Sequence, residues 1–122
     1  MLRLLMIVSG TFEALFGLSV LIAPDMLIGS LGTEPDASSV FLARILGAAT
    51  LGLGAAAFLA RNELDSKGGL AAAYGLGLYN VLAACLILWT AAGIGGAALW
   101  STGLIHAAIG ALFVVALARA RG

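Results

Sequence analysis

The sequence predicts an all-α integral membrane protein, a four-helix bundle whose helices cross the bilayer up, down, up and down. Of its 122 residues, 62% are hydrophobic and 10% are charged, whereas soluble domains have roughly 45 to 50% and about 25%. Four apolar stretches also have about the 20 residues that a transmembrane helix needs: 2–23, 39–60, 69–90 and 97–118. We expect them to form a single domain, 1–122.

The first apolar stretch, 2–23, is interpreted as an uncleaved span. It is longer than the apolar region of a signal peptide, it is interrupted by Glu13, and no small-residue cleavage site follows it. Glu13 is therefore expected at the middle of a membrane helix. A charge in that position costs roughly 2.5 to 3.5 kcal/mol, so it requires a partner, a proton or a polar cavity.

The distribution of basic residues predicts the orientation of the chain. The first connection, 24–38, is acidic and contains no lysine or arginine. The basic residues lie in the second connection and near the termini: Arg3, Arg61, Lys67, Arg119 and Arg121. By the positive-inside rule, both termini and the second connection are expected in the cytoplasm.

The connections carry recognisable helix signals. Pro24 favours the start of a short helix that ends near Gly32 and lies at the outer interface. Asp36, Ser38 or Ser39 can serve as the N-cap of the second span, and Asp65 or Ser66 as that of the third. The last connection, 91–96, is short and uncharged, which predicts a tight hairpin between the third and fourth spans.

Each span carries one strongly polar residue, and all four lie near one depth: Glu13, Arg44, Asn80 and His106. Each has glycine or alanine neighbours one turn away, as helix interfaces in membranes require. We expect all four to point inward as a midplane polar network. Glu13 and Arg44 are expected to form an ion pair, with Asn80 and His106 satisfying the remaining donors and acceptors.

Two interpretations of this network stay open. It could fasten the helices together, or Glu13 or His106 could exchange a proton or line a ligand cavity. A third arrangement would turn one of these residues toward a partner subunit. The chain has one histidine and one cysteine, Cys85, which is expected to be a small buried side chain. We therefore expect no cofactor and no metal site, and the absence of a basic stripe excludes nucleic acid as a partner.

Two stretches carry a family resemblance. The first span ends in Leu-Ile-Ala-Pro, and the second contains Arg-x-x-Gly at Arg44 and Gly47. With the length of the chain, these features resemble the small four-helix membrane proteins of the bacterial DoxX-like group. The resemblance implies an inner-membrane location and association with other membrane components. It implies no catalytic residue.

A second resemblance is to the small multidrug resistance transporters, which have about this length, four helices and a glutamate in the first helix. Glu13 matches that glutamate. The chain departs from the pattern because Arg44 is available to neutralise Glu13. It also lacks the aromatic and proline-rich signature of their third helix.

From these observations we expect a non-enzymatic accessory or stabilising subunit of a larger membrane assembly. Its partners would be the lipid bilayer and either another membrane protein or further copies of the chain. The alternative is a dimeric proton-coupled transporter with Glu13 as the coupling carboxylate. A membrane enzyme acting on quinone or lipid, with His106 and Tyr79 in its site, ranks third.

Overall fold

The structure is a computed structural model that describes residues 1–121, with side chains through Ala120. In this part of the chain there are five α-helices: α1 (Leu2–Ile22), α2 (Pro24–Ser30), α3 (Ala37–Ala60), α4 (Lys67–Ile94) and α5 (Ala97–Arg121). The four longer helices are each long and apolar enough to cross a membrane. The predicted all-α, four-helix membrane bundle is confirmed, and the chain is a multi-pass membrane protein.

Most helix boundaries follow the sequence signals. The predicted short helix is α2, with Pro24 in its first turn, and Ser66 caps α4 by accepting a hydrogen bond from the Gly69 N–H. One prediction was too short, because α4 continues to Ile94. The connection to α5 is only Gly95 and Gly96, with φ of 76° and 98°. These left-handed angles favour glycine.

Helix α3 begins with a capping box formed by Asp36 and Ser39. The Asp36 carboxylate accepts the Ser39 N–H at 2.7 Å, and the Ser39 hydroxyl accepts the Asp36 N–H at 2.9 Å. These contacts, the Ser39 backbone N–H first, hold the pKa of Asp36 below its usual range. The cap therefore stabilises α3 above the ordinary aspartate pKa of about 4 and loses this effect as the pH falls through the lower folded-state value.

We expect Asp36→Ala to lower the thermal unfolding midpoint in detergent at neutral pH, because α3 loses its N-cap. The difference from wild type should narrow as the pH falls below about 4. Glu34→Ala, at an exposed position in the same connection, is the matched control and should leave the midpoint unchanged. A deficit in Asp36→Ala that stays constant with pH would show that the carboxylate does not act as the cap.

The bundle consists of two closely packed helix pairs, α1 with α3 and α4 with α5. Glycines set the distance in the first pair. A Cβ on Gly17 would lie 2.5 Å from the Gly47 carbonyl oxygen, and one on Gly54 would lie 2.5 Å from the Gly10 carbonyl oxygen. The two backbones therefore touch directly, as small residues allow in membranes.

The buried apolar side chains form two groups. The larger lies toward the termini and includes Leu5, Met6, Ala57, Ala73, Leu76, Phe113, Ala116 and Leu117. The smaller joins α2 to α1 and α3 through Val20, Ile28 and Ala43. The cavity described below lies in the half of the bundle nearer α2. Cys85, expected to be buried, is exposed on the surface of α4.

Candidate functional site

Three of the four predicted polar residues come together inside the bundle. Glu13 on α1, Asn80 on α4 and His106 on α5 expose 0%, 0% and 4% of their surface. Each lies on the stripe of its helix that faces the interior, one turn from a buried glycine or other small residue. The helical spacing of small residues therefore identifies the inward face correctly on these three helices.

Arg44 does not join them, and the predicted ion pair with Glu13 is wrong. The face of α3 that packs on α1 consists of small residues: Ala43, Gly47, Thr50, Gly54 and Ala57. Arg44 follows Ala43 directly, so it is rotated by about 100° from this face, and its side chain is exposed. The close contact between the two backbones leaves no room for an arginine between α1 and α3.

The orientation of the Asn80 amide is fixed by its partners. Its Nδ2 donates to the Leu76 carbonyl oxygen at 2.9 Å and to the Ser9 Oγ at 3.0 Å. A carbonyl oxygen can only accept, so the amide nitrogen must be on that side. The Asn80 Oδ1 is therefore the atom that faces His106, at 3.0 Å from Nδ1.

This arrangement determines which ring nitrogen of His106 carries a proton. Because Asn80 Oδ1 can only accept, Nδ1 must be the donor. Nδ1 is thus occupied, and Nε2 is the ring nitrogen left to take up or release a proton. The rings of Phe12 and Tyr79 meet the imidazole edge to face, with centroids 5.7 and 5.8 Å away, and hold its plane in place.

The Glu13 carboxyl group is buried with very little hydrogen bonding. Neither of its oxygens makes a hydrogen bond of full geometry within the described part of the chain. Its Oε1 lies 3.8 Å from the His106 Nδ1, and the Tyr79 hydroxyl lies beside it, close enough for a weak hydrogen bond. An isolated charge would be very costly in such a position. The carboxyl group is therefore either protonated or balanced by a His106 imidazolium.

The polar group adjoins a cavity of about 520 Å³ in the half of the bundle nearer α2. This volume is within the range of roughly 300 to 1,000 Å³ found for small-molecule sites. His106, Tyr79 and Thr102 supply its polar surface at the inner end, and Ser30 on α2 adds a hydroxyl near the opposite end. Most of the remaining wall is apolar: Phe12, Phe16, Leu27, Leu31, Leu46, Leu82, Ala83, Leu86, Ile87, Ala98 and Leu99.

Glu13 and His106 together can hold one proton in two ways. In one form both groups are neutral, and the His106 Nε2 offers a lone pair. In the other, the carboxylate faces an imidazolium whose Nε2 is a donor. The two groups are 3.8 Å apart, close enough for a charge on one to affect the other. Glu13 itself has no exposed surface, and its neighbours His106 and Tyr79 are the titratable side chains that line the cavity.

Two members of the site were not predicted as such from the sequence. Ser9 lies four residues before Glu13, on the same helix face, and this spacing could have identified it. From the sequence, Tyr79 is expected in a site only in the enzyme alternative. Its neighbour Asn80 is the inward residue, and adjacent positions on a helix point about 100° apart. Tyr79 reaches the site because its long side chain extends sideways into the cavity.

The described residues contain no group of three or more histidine, cysteine, aspartate or glutamate side chains that could hold a metal ion. Glu13, Tyr79 and His106 place groups capable of hydrogen bonding and proton exchange at or beside the apolar cavity. No protein-family model, curated protein or solved structure matches this chain.

Proposed function

We propose that the protein is a small proton-coupled carrier of lipophilic molecules in the bacterial inner membrane, with both termini in the cytoplasm. One observation carries this proposal: Glu13, buried without a hydrogen bond of full geometry, lies 3.8 Å from His106, which lines a cavity of ligand size. A carboxyl group inside a membrane bundle is costly and is commonly found in proton pathways. Here it has a proton-exchanging neighbour and a place for a substrate.

Ligand binding and proton binding involve the same atom, the His106 Nε2. A molecule at the inner end of the cavity meets the His106 imidazole, whose Nε2 is an acceptor in one protonation state of the pair and a donor in the other. A ligand that prefers one state therefore changes the proton affinity of the pair, and the proton changes the affinity for the ligand by the same factor. Reciprocal coupling of this kind is the basis of proton-driven transport.

The distribution of titratable and charged side chains around Glu13 and His106 supports this function. Glu13 is contributed by α1, Tyr79 by α4 and His106 by α5, whereas the buried face of α3 carries no charged side chain and Arg44 is exposed. The expectation of a purely structural subunit relied on Arg44 neutralising Glu13, and this contact is not formed. Without this contact, Glu13 is free to titrate. The chain then differs from the pattern of the small multidrug resistance transporters only in lacking the aromatic and proline-rich signature of their third helix.

A carrier must change the exposure of its cavity when the coupling residue gains or loses a proton. This is testable without knowing the substrate. In a Cys85→Ser background, Thr102→Cys places one thiol in the cavity wall, four residues before His106. Its labelling by a membrane-impermeant maleimide is measured in proteoliposomes from each side of the membrane. Ser38→Cys, at an exposed position near the start of α3, corrects for the intrinsic pH dependence of thiol labelling.

We expect the corrected labelling of Thr102→Cys to change with pH, and to change in opposite directions from the two sides of the membrane. Adding Glu13→Gln, which cannot ionise, should make it independent of pH. Labelling that does not depend on pH in the presence of Glu13 would contradict the carrier function. Labelling that stays pH-dependent in Glu13→Gln would show that another group does the coupling.

A further inference from the structure

The inner end of the cavity is a hydrogen-bond acceptor when the Glu13 and His106 pair is neutral. Leu76 and Ser9 fix the Asn80 amide, Asn80 in turn keeps the proton of neutral His106 on Nδ1, and Nε2 is left with a lone pair. This conclusion follows from the donor and acceptor chemistry of the partners alone. It specifies the kind of polar group that a ligand must bring.

The rest of the wall specifies the body of the ligand. It is mostly apolar, and its two phenylalanines, Phe12 and Phe16, lie with the Tyr79 ring on the cavity surface. Aromatic side chains favour edge-to-face contacts with another aromatic ring. The cavity extends from His106 to Leu27 and Leu31 on α2, so an elongated apolar tail can follow it from the polar end toward the short helix.

Resting on the carrier function above, we propose that the ligand class is the lipid-soluble phenols: an aromatic ring with one hydroxyl group and an apolar tail. The hydroxyl donates its hydrogen bond to the His106 Nε2, and the ring packs between Phe12 and Tyr79. A ketone or an ether of the same shape has no proton to donate and leaves the Nε2 lone pair unsatisfied. Sites built around a buried polar group reject analogues that lack its partner.

The test uses two matched probes, 4-octylphenol and its methyl ether 4-octylanisole, with the purified full-length protein in detergent micelles. Binding is measured as the rise in thermal unfolding midpoint with probe concentration. It is measured independently as the change in the ¹⁵N resonance of Nε2 in protein labelled at histidine. His106 is the single histidine of the chain, so the two ring signals have no overlap.

We expect the phenol to bind wild type about tenfold more tightly than the ether, the factor that one well-placed hydrogen bond supplies. Only the phenol should shift the Nε2 resonance. His106→Phe keeps an aromatic ring at this position, and it should bind both probes with equal affinity. If that variant does not fold, the comparison of the two probes by Nε2 resonance in wild type decides the question alone.

Equal binding of phenol and ether to wild type would overturn this ligand class, as would a preference for the phenol that persists in His106→Phe. Binding of neither probe would also overturn it. None of these results affects the thiol-labelling test of the carrier function, which uses no ligand. If the labelling depends on pH and Glu13 while both probes fail, the carrier stands and its substrate belongs to another class. Labelling that does not depend on pH would contradict the carrier function itself.

Discussion

Glu13→Met is expected to raise the stability of the protein in detergent by about 1 to 3 kcal/mol, the cost of burying a polar group without a hydrogen bond. Methionine has a similar length and no polar group to leave unsatisfied. Neither carboxyl oxygen of Glu13 makes a hydrogen bond of full geometry within the described residues, so the substitution removes that cost and gives up only the weak contact with the Tyr79 hydroxyl. Chemical unfolding followed by tryptophan fluorescence measures the difference.

Asn80→Leu replaces another buried polar residue, and we expect it to have the opposite effect, a loss of stability. Asn80 is equally buried, but its amide bonds to Leu76, Ser9 and His106. Removing it leaves the Ser9 hydroxyl and the His106 Nδ1 without their partner, whereas the Leu76 carbonyl keeps its backbone hydrogen bond within α4. Each unsatisfied buried group costs about 1 to 3 kcal/mol. A stabilised Glu13→Met beside a destabilised Asn80→Leu would mean that Asn80 holds the bundle together and that Glu13 is kept for its chemistry. A destabilised Glu13→Met would return Glu13 to a structural role.

Gly54→Ala is expected to destabilise the protein by about 1 to 3 kcal/mol or more, which is the range for overpacking. The added Cβ would meet the Gly10 carbonyl oxygen at 2.5 Å and the Ala14 nitrogen at 2.7 Å. Both are backbone atoms that cannot rotate away, so α1 and α3 would have to separate along their contact. The same unfolding measurement applies.

Gly52→Ala, two residues earlier on α3, is the control for this substitution. A Cβ at Gly52 meets nothing within 4 Å, and alanine favours a helix over glycine by roughly 0.5 to 1 kcal/mol. We therefore expect a neutral or slightly stabilising effect. Similar effects at Gly52 and Gly54 would contradict the direct backbone contact between α1 and α3.

The fold was predictable because its signals are local. Four apolar runs determine four long helices, Pro24 marks the start of α2, and Asp36 and Ser66 mark the starts of α3 and α4. The extension of α4 to Ile94 was missed because the four residues Ala91 to Ile94 contain a glycine and no cap. Their helical backbone continues until Gly95, where the positive φ ends the helix.

The site was only half predictable from the sequence. The position of a residue along a helix gives its depth in the membrane reliably, but it does not give the direction in which that side of the helix faces. Counting residues places Glu13, Arg44, Asn80 and His106 at a similar height. Which side of a helix faces inward depends on where two backbones touch, and in a chain rich in glycine and alanine several faces look alike. On α3 the contact follows Gly47 and Gly54, which turns Arg44 outward. The cavity itself arises from how five helices meet, and no local pattern encodes it.

The most direct test of the account is a pH titration of His106 by ¹⁵N nuclear magnetic resonance, in wild type and in Glu13→Gln. We predict that Nδ1 keeps its proton at every pH, that Nε2 alone gains one as the pH falls, and that this titration changes in Glu13→Gln. Glu34→Gln, at an exposed glutamate, should leave it unaltered. A neutral histidine with its proton on Nε2, or identical titrations with and without Glu13, would contradict the proton-sharing pair on which the proposed function depends.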